Sequence, residues 1–160
     1  MYQYTRDYLM NALAGNPEVV AFLLCDVPGG SSAWDRHPDP ERFSLREITA
    51  HLAVWEGIFA DRMTMMRDQH EPALQQYREE ELAVVHAYAN SDPADNLSWF
   101  GQNRAKLVET LRGLDAAQWQ RSGKRGMGPM TIEEQAVLVL AHDGYHIQQI
   151  LQWLEVPAAG

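Results

Sequence analysis

Two histidines near the C-terminal end of the chain are the clearest candidates for chemistry. His142 and His146 are four residues apart, so in a helix they lie on one face, one turn above the other. This spacing is typical of imidazole ligands to zinc, and His51, on another predicted helix, could supply a third imidazole. A metal ion held by three histidines keeps one coordination position open, where it acts as a Lewis acid or activates a bound water or thiol.

A second interpretation of these residues involves no metal. A single His-x-x-x-His pattern arises easily in a helix, and the spacing alone does not bring His51 to the pair. In this interpretation His142 and His146 are partly exposed on the surface of the protein, and His51 is a histidine at the edge of the core. The other three histidines fall in predicted loop or crossover segments and are assigned no role: His37, His70 and His86.

The composition predicts one globular domain spanning residues 1–160. Hydrophobic residues make up 46% of the chain and charged residues 22%, an ordinary balance for a single core of this length. Cys25 is the only cysteine, so a disulfide framework and a zinc site made of thiolates are both excluded. Cys25 lies in an apolar run, where a free cysteine is usually an inert small hydrophobic residue. Any metal would need histidine and carboxylate ligands.

The charge and the hydropathy pattern exclude two classes of partner. The formal net charge is −9, which argues against broad binding to the phosphates of a nucleic acid. The longest apolar run, residues 19–25, is far too short to span a bilayer, and the first residues do not resemble a secretory signal. We therefore expect a cytoplasmic protein that binds neither nucleic acid nor membrane.

Apolar residues recur at intervals of three and four, which predicts an all-α fold. The first helix is predicted over residues 2–14, with a break at Gly15. Asn16 would cap a restarted helix and Pro17 would occupy its first position. This second piece is predicted over residues 18–26.

Three further helices are predicted from their capping residues. Ser44 and Glu47 form a capping box for a helix over residues 44–69, and Asp92 followed by a proline begins another. The last helix begins at Thr131 and runs to about residue 157. Because residues 70–90 have only a weak pattern, the expected architecture is a four-helix bundle with a long crossover between helices 2 and 3.

Two charged residues occupy positions that the pattern assigns to the core. Arg104 replaces an apolar residue in the seam of the third helix, and Asp143 points into the apolar arc of the last helix. We expect either a buried ion pair between them or a local rotation that exposes them. A third alternative is that Arg104 faces the metal cavity and binds an anionic group of a substrate or cofactor through a two-pronged contact.

Three other charged side chains admit two interpretations each. Lys124 and Arg125 belong to a glycine-rich basic loop predicted over residues 121–130. This loop either is solvated or meets an anionic substrate at the start of the last helix. Glu47 could assist a metal site, although its capping role already explains it.

Two segments of the sequence resemble the DinB/YfiT-like family of metalloenzymes. They are residues 43–56, FSLREITAHLAVWE, and residues 140–150, LAHDGYHIQQI. The acidic crossover with Tyr88 and the Asp92-Pro93 pair are also similar to that family. The resemblance extends over roughly residues 4–153.

The resemblance implies a four-helix bundle with a long crossover and a divalent metal held by His51, His142 and His146. Zinc and nickel are the metals that we expect first with three histidine ligands, and iron, manganese and cobalt are also compatible. Some relatives are thiol-dependent transferases or isomerases, so it also implies a low-molecular-weight thiol and a small-molecule substrate. In that reaction the bound thiol loses its proton and attacks an electrophilic carbon.

The alternative is a non-catalytic, stress-related binding protein with a structural or vestigial metal site. The broad apolar arcs of the helices would allow a homodimer.

Overall fold

Six α-helices, two short 3-10 helices and a β-hairpin make up the described part of the chain, residues 1–126 and 128–155 of a computed structural model. The elements in chain order are α1 (Gln3–Leu24), a 3-10 helix (Ser32–Asp35), α2 (Leu45–Asp68), α3 (Glu79–Val85), a 3-10 helix (Tyr88–Asn90), α4 (Pro93–Arg112), α5 (Ala116–Trp119), β1 (Ser122–Arg125), β2 (Gly128–Thr131) and α6 (Ile132–Glu155).

The four long helices α1, α2, α4 and α6 form the bundle. Helix α2 packs on α4 and α6, and α1 packs on the same two helices. The connection from α2 to α4 is long and carries α3, which confirms the predicted four-helix bundle with a crossover between its second and third helices. No helix in the described residues is both long enough and apolar enough to cross a membrane.

The capping residues place the helix starts where the sequence predicts them. The Ser44 hydroxyl accepts a hydrogen bond from the Glu47 backbone, and the Glu47 carboxylate accepts one from the Ser44 backbone. Asp92 accepts from two backbone N–H groups in the first turn of α4. A similar pair of hydrogen bonds precedes α6. The Thr131 backbone N–H donates to the Glu134 carboxylate, and the Glu134 backbone N–H donates to the Thr131 hydroxyl. The predicted end of α6 near residue 157 lies outside the described residues.

The predicted break in the first helix is wrong, because α1 is continuous and contains Pro17. A proline has no N–H to donate to the carbonyl four residues earlier, here that of Leu13. Arg104 of α4 replaces the missing donor, since its Nη1 lies 2.9 Å from the Leu13 oxygen. Asn16, predicted as a cap, instead donates to the Asp143 carboxylate at 2.8 Å.

Cys25 also differs from the expectation. Helix α1 ends at Leu24, so Cys25 occupies the C-cap position and is exposed. It therefore lies just after the helix, whereas the sequence predicted it within a helix over residues 18–26.

The glycine-rich segment forms a β-hairpin where the sequence predicted a loop. Strands β1 and β2 are antiparallel, with Ser122 opposite Thr131 and Arg125 opposite Gly128. The backbone of Gly128 has a φ of 118°, which favours glycine. Leu74 of the crossover donates its backbone N–H to the Lys124 oxygen at 2.9 Å. The hairpin is thus bound to the crossover, which explains why this basic segment is ordered.

Replacing Gly123 with alanine is expected to loosen this contact. A Cβ at that position would lie 2.7 to 3.0 Å from three side-chain atoms of buried Leu74. Because the buried leucine side chain would have to shift to admit the Cβ, we expect the free energy of unfolding to fall by about 1–3 kcal/mol in urea denaturation. Gly126→Ala is the matched control, since a Cβ there meets nothing within 4 Å. Equal stability of the two variants would contradict this prediction.

Candidate metal centre

The three histidines singled out in the sequence meet inside the bundle. One ring nitrogen from each of His51, His142 and His146 lies within 4.8 Å of the others. The Nε2 atoms of His51 and His142 are 2.9 Å apart. His51 is 1% exposed and His146 is 4% exposed. The interpretation of dispersed surface histidines is therefore wrong.

Hydrogen bonds fix the orientation of His146. The Gln149 Nε2 donates to the Phe43 backbone oxygen at 3.2 Å, and this oxygen can only accept. The amide of Gln149 therefore presents its Oε1 to the Nδ1 of His146, at 3.2 Å. Because Oε1 is also an acceptor, Nδ1 must carry the proton, and the lone pair of His146 is on Nε2.

Aromatic rings surround the histidines and limit the access of water. The ring of His51 lies 5.3 Å from that of Phe43, 6.0 Å from that of Trp55 and 6.2 Å from that of Tyr88. His142 is 5.4 Å from the Phe59 ring. An apolar lining of this kind strengthens every electrostatic interaction in the centre.

The environment keeps all three imidazoles neutral. Burial lowers the pKa of His51 to about 2, with a further contribution from the other two histidines. Burial lowers the pKa of His142 to about 4 and that of His146 to about 3, aided by the charge of Arg104 for His142 and by His142 for His146. Neutral imidazoles with free lone pairs are the form that binds a metal ion.

The spacing of these nitrogens fits a single divalent ion. Two nitrogens at about 2.0–2.1 Å from one tetrahedral zinc ion are about 3.3 Å apart, and the Nε2 atoms of His51 and His142 are 2.9 Å apart. The Nδ1 of His51 is buried and has no hydrogen-bond partner among the described residues. The side chains thus match the donor set of a three-histidine metal site.

A cavity of about 280 Å³ opens beside the centre. Two of the three histidines, His142 and His146, line it, and so do two acidic residues of α3, Glu79 and Glu80. The residues that line it are Glu41, Arg42, Phe43, Glu79, Glu80, His142, Tyr145, His146 and Gln149. Burial raises the pKa of Glu79, and the neighbouring charge of Glu80 adds to this. The sequence predicted this acidic run only as part of the crossover, with no role in a site.

Arg104 lies behind the centre in a network that the sequence predicted only in part. It donates to both Glu56 oxygens at 2.8 and 2.7 Å, to both Asp143 oxygens at 2.6 and 3.0 Å, and to Leu13. The side chains of Arg104, Glu56 and Asp143 are each 1% exposed. The predicted buried pair with Asp143 is confirmed, and Glu56 is an additional partner.

This network changes the role expected for Arg104. Its five N–H groups all have protein acceptors, so no donor remains for an anionic group of a substrate or cofactor. Burial lowers the pKa of Arg104, but its hydrogen bonds to two carboxylates outweigh this effect and raise it above the usual value. The alternative in which Arg104 anchors a ligand is not supported by this geometry.

The remaining candidates lie outside the cluster. Glu47 acts as the cap of α2 and lies 3.4 Å from His37, and the cluster of possible ligand atoms does not include it. His70 and His86 are exposed on the crossover.

Comparison with known proteins gives one family and two related folds. A family model described as the DinB superfamily matches residues 24–150. The chain is similar to YfiT from Bacillus subtilis, described as a probable metal-dependent hydrolase with an unusual four-helix bundle topology. The identity is 19% and the TM-score 0.89, over 96% of this chain and 87% of the other.

The fold is also similar to that of a mycothiol-dependent maleylpyruvate isomerase. The identity is 12% and the TM-score 0.72, over 94% of this chain and 63% of the other, so this chain spans less than two thirds of that enzyme. No curated protein matches the sequence.

Proposed function

This chain belongs to the DinB superfamily, and on that premise we propose that it is a divalent-metal-dependent enzyme that activates a low-molecular-weight thiol. The thiol would be transferred to a small electrophilic substrate, or would assist its isomerisation. The observation that carries the proposal is the set of three neutral histidines, two buried and one partly buried, that opens on a cavity. The similar fold of a mycothiol-dependent isomerase supports the thiol.

His51, His142 and His146 would hold the metal ion through their ring nitrogens. When bound, the ion would lower the pKa of a coordinated thiol or water and so supply a nucleophile at neutral pH. Gln149 holds the proton of His146 on Nδ1, which directs Nε2 to the centre. The carboxylates of Glu79 and Glu80 are on the cavity wall, where they can accept the proton that the entering nucleophile releases.

The three imidazole ligands define a class of compatible metals and do not select a single one. Three imidazoles suit zinc and nickel, and also cobalt, iron and manganese. We propose zinc or nickel first. The cytoplasmic location and the homodimer stay predictions.

Two other functions are the relevant alternatives. A structural metal site in a non-catalytic, stress-related binding protein would be closed, whereas the cavity here reaches two of the three histidines. Metal-dependent hydrolysis, which the description of YfiT suggests, is favoured by the acidic wall of the same cavity, because a carboxylate can also activate water.

The metal content of the protein tests the first part of the proposal. Untagged protein purified without nickel resin is compared with the His51→Ala/His142→Ala variant, and elemental analysis gives the metal content of each. The matched control is His70→Ala/His86→Ala, which removes two exposed histidines. We expect near-stoichiometric metal in the wild type and the control and its loss in the first variant. Little metal in all three, even after reconstitution with several divalent ions, would contradict the proposal.

The reaction is tested on the same preparations. Mycothiol, bacillithiol and cysteine are each offered with an electrophilic arene, and an activated ester is offered without thiol. We expect thiol conjugation that chelation abolishes and metal restores. Ester hydrolysis alone would favour the hydrolase. A metal-containing protein that turns over neither substrate, but unfolds more easily after chelation, would favour the structural alternative.

A further inference from the structure

A second and larger cavity lies between α2 and α4, away from the histidines. Its volume is about 590 Å³, which is within the range of small-molecule sites. Its lining residues run from Ala50 to Asp61 on α2 and from Asp92 to Asn103 on α4. In both helices they recur at the intervals of three and four residues that define one helix face. The cavity is therefore a groove that follows both helices.

The floor of this groove is apolar and contains small residues. Ala50, Ala53 and Gly57 line it together with Val54 and Ile58. A Cβ added to Gly57 would meet no atom within 4 Å, so no neighbouring group requires a glycine at this point of α2. Glycine inside a helix is less stable than alanine, and its effect here is to leave the floor of the groove open.

The two helices run parallel along the groove, which fixes its length. Asn96 of α4 donates to Thr49 of α2, and Arg104 donates to Glu56. A position on α4 is thus level with the α2 position 47 or 48 residues before it. At about 1.5 Å per residue, positions 95 and 61 are roughly 20 Å apart along the groove.

Free carboxylates occupy these two positions. Asp61 and Asp95 are exposed, and neither side chain forms an ion pair or accepts a hydrogen bond among the described residues. Asp92 also lines the groove, but it is engaged as the cap of α4. No lysine or arginine is among the described residues of the lining, and His86 is the one imidazole there. Arg62 is 4% exposed and lines a different cavity.

An exposed indole lies on the wall between the two carboxylates. Trp99 is 64% exposed and lines the groove one helical turn after Asp95. The face of an indole ring attracts an ammonium group. Asn103, one turn further along the same wall, carries an amide oxygen that can accept from an N–H group. The groove thus offers acceptors and negative charge along an apolar floor.

We propose that this groove binds a linear aliphatic polycation, either a polyamine or a long-chain diamine. The terminal ammonium groups would pair with Asp61 and Asp95, and the methylene chain would lie on the apolar floor beside Trp99. An extended spermine molecule is long enough to reach both carboxylates, whereas putrescine is not. The groove shares no lining residue with the cavity at the metal centre, so this inference does not depend on the proposed function.

Calorimetric titration of the purified protein tests the inference. About 0.15 M salt screens the loose attraction of any cation to a chain of net charge −9. The probes are spermine, 1,12-diaminododecane, putrescine and Mg²⁺. We expect spermine to bind at least about tenfold more tightly than putrescine or Mg²⁺, because only the long molecule reaches both carboxylates. Equally tight binding of diaminododecane would support the groove and assign a diamine, and weaker binding would assign a polyamine.

Two variants locate the binding in the groove. Asp61→Asn/Asp95→Asn is expected to weaken spermine binding at least about tenfold. The matched control Glu18→Gln/Asp26→Asn removes two exposed carboxylates that do not line the groove, and it should bind spermine as the wild type does. Gly57→Leu places a side chain on the floor without changing the charge. It should abolish binding without lowering the urea midpoint, because leucine favours a helix more than glycine does.

Three results would each overturn the inference. The first is spermine that binds no more tightly than Mg²⁺. The second is equal affinity of the aspartate variant and its control for spermine. The third is a folded Gly57→Leu protein, as judged by circular dichroism, that binds spermine as tightly as the wild type does.

Discussion

Replacing Arg104 with methionine is expected to lower the free energy of unfolding by about 3–5 kcal/mol. The methionine fills a similar volume, but it leaves the carboxylates of Glu56 and Asp143 buried without a cation. It also leaves the carbonyl of Leu13 without a donor. Urea denaturation followed by circular dichroism measures the change.

Two further variants show whether the unpaired charges cause the loss. Arg112→Met removes an exposed arginine at the end of the same helix and should change the stability little. Adding Glu56→Gln and Asp143→Asn to Arg104→Met removes both stranded charges and should recover part of the loss, because a neutral buried set costs less than two unpaired carboxylates. A loss below about 1 kcal/mol for Arg104→Met, as for a surface ion pair, would contradict our account of the network.

His146→Ala is expected to weaken metal binding by more than about 100-fold, because it removes one of the three proposed ligands. Gln149→Ala leaves the ligands in place but removes the acceptor that holds the His146 proton on Nδ1. Loss of such a supporting hydrogen bond typically costs about 10–100-fold in affinity. Competition with a zinc-binding chelator, followed by absorbance, gives the affinity of each variant.

The order of these effects is the decisive result. His70→Ala, which removes an exposed histidine, should bind the metal as the wild type does. If His146→Ala and His70→Ala have the same affinity, the metal is held elsewhere. If Gln149→Ala equals the wild type, the tautomer of His146 is set without this amide.

The sequence predicts the features of this fold that depend on neighbouring residues. Ser44, Asp92 and Thr131 mark the starts of helices correctly because each cap bonds to backbone N–H groups within three residues. The spacing of His142 and His146 likewise fixes their shared face. His51 was a candidate third imidazole that only the family resemblance joined to the pair, since spacing alone cannot bring together residues 91 positions apart.

The features that the sequence did not predict depend on distant residues. Pro17 would end most helices, but here a side chain 87 positions later supplies the donor that the proline lacks. Glu56 was not recognised as a partner of Arg104, because no lysine or arginine lies within four residues of it to suggest an ion pair. Glu79 and Glu80 were predicted only as part of the crossover, and the folded chain places them at the cavity.

The long reach of Arg104 has a consequence for the order of folding. Its partners Asp143, Glu56 and Leu13 are 39, 48 and 91 positions away along the chain. Closing such loops costs entropy before the contacts form, so the network should assemble after the helices have met. Interactions made late in folding set the rate at which the native state opens. We therefore expect Arg104 substitutions to accelerate unfolding far more than they slow refolding. This one residue would thus determine the kinetic stability of the bundle more than its folding rate.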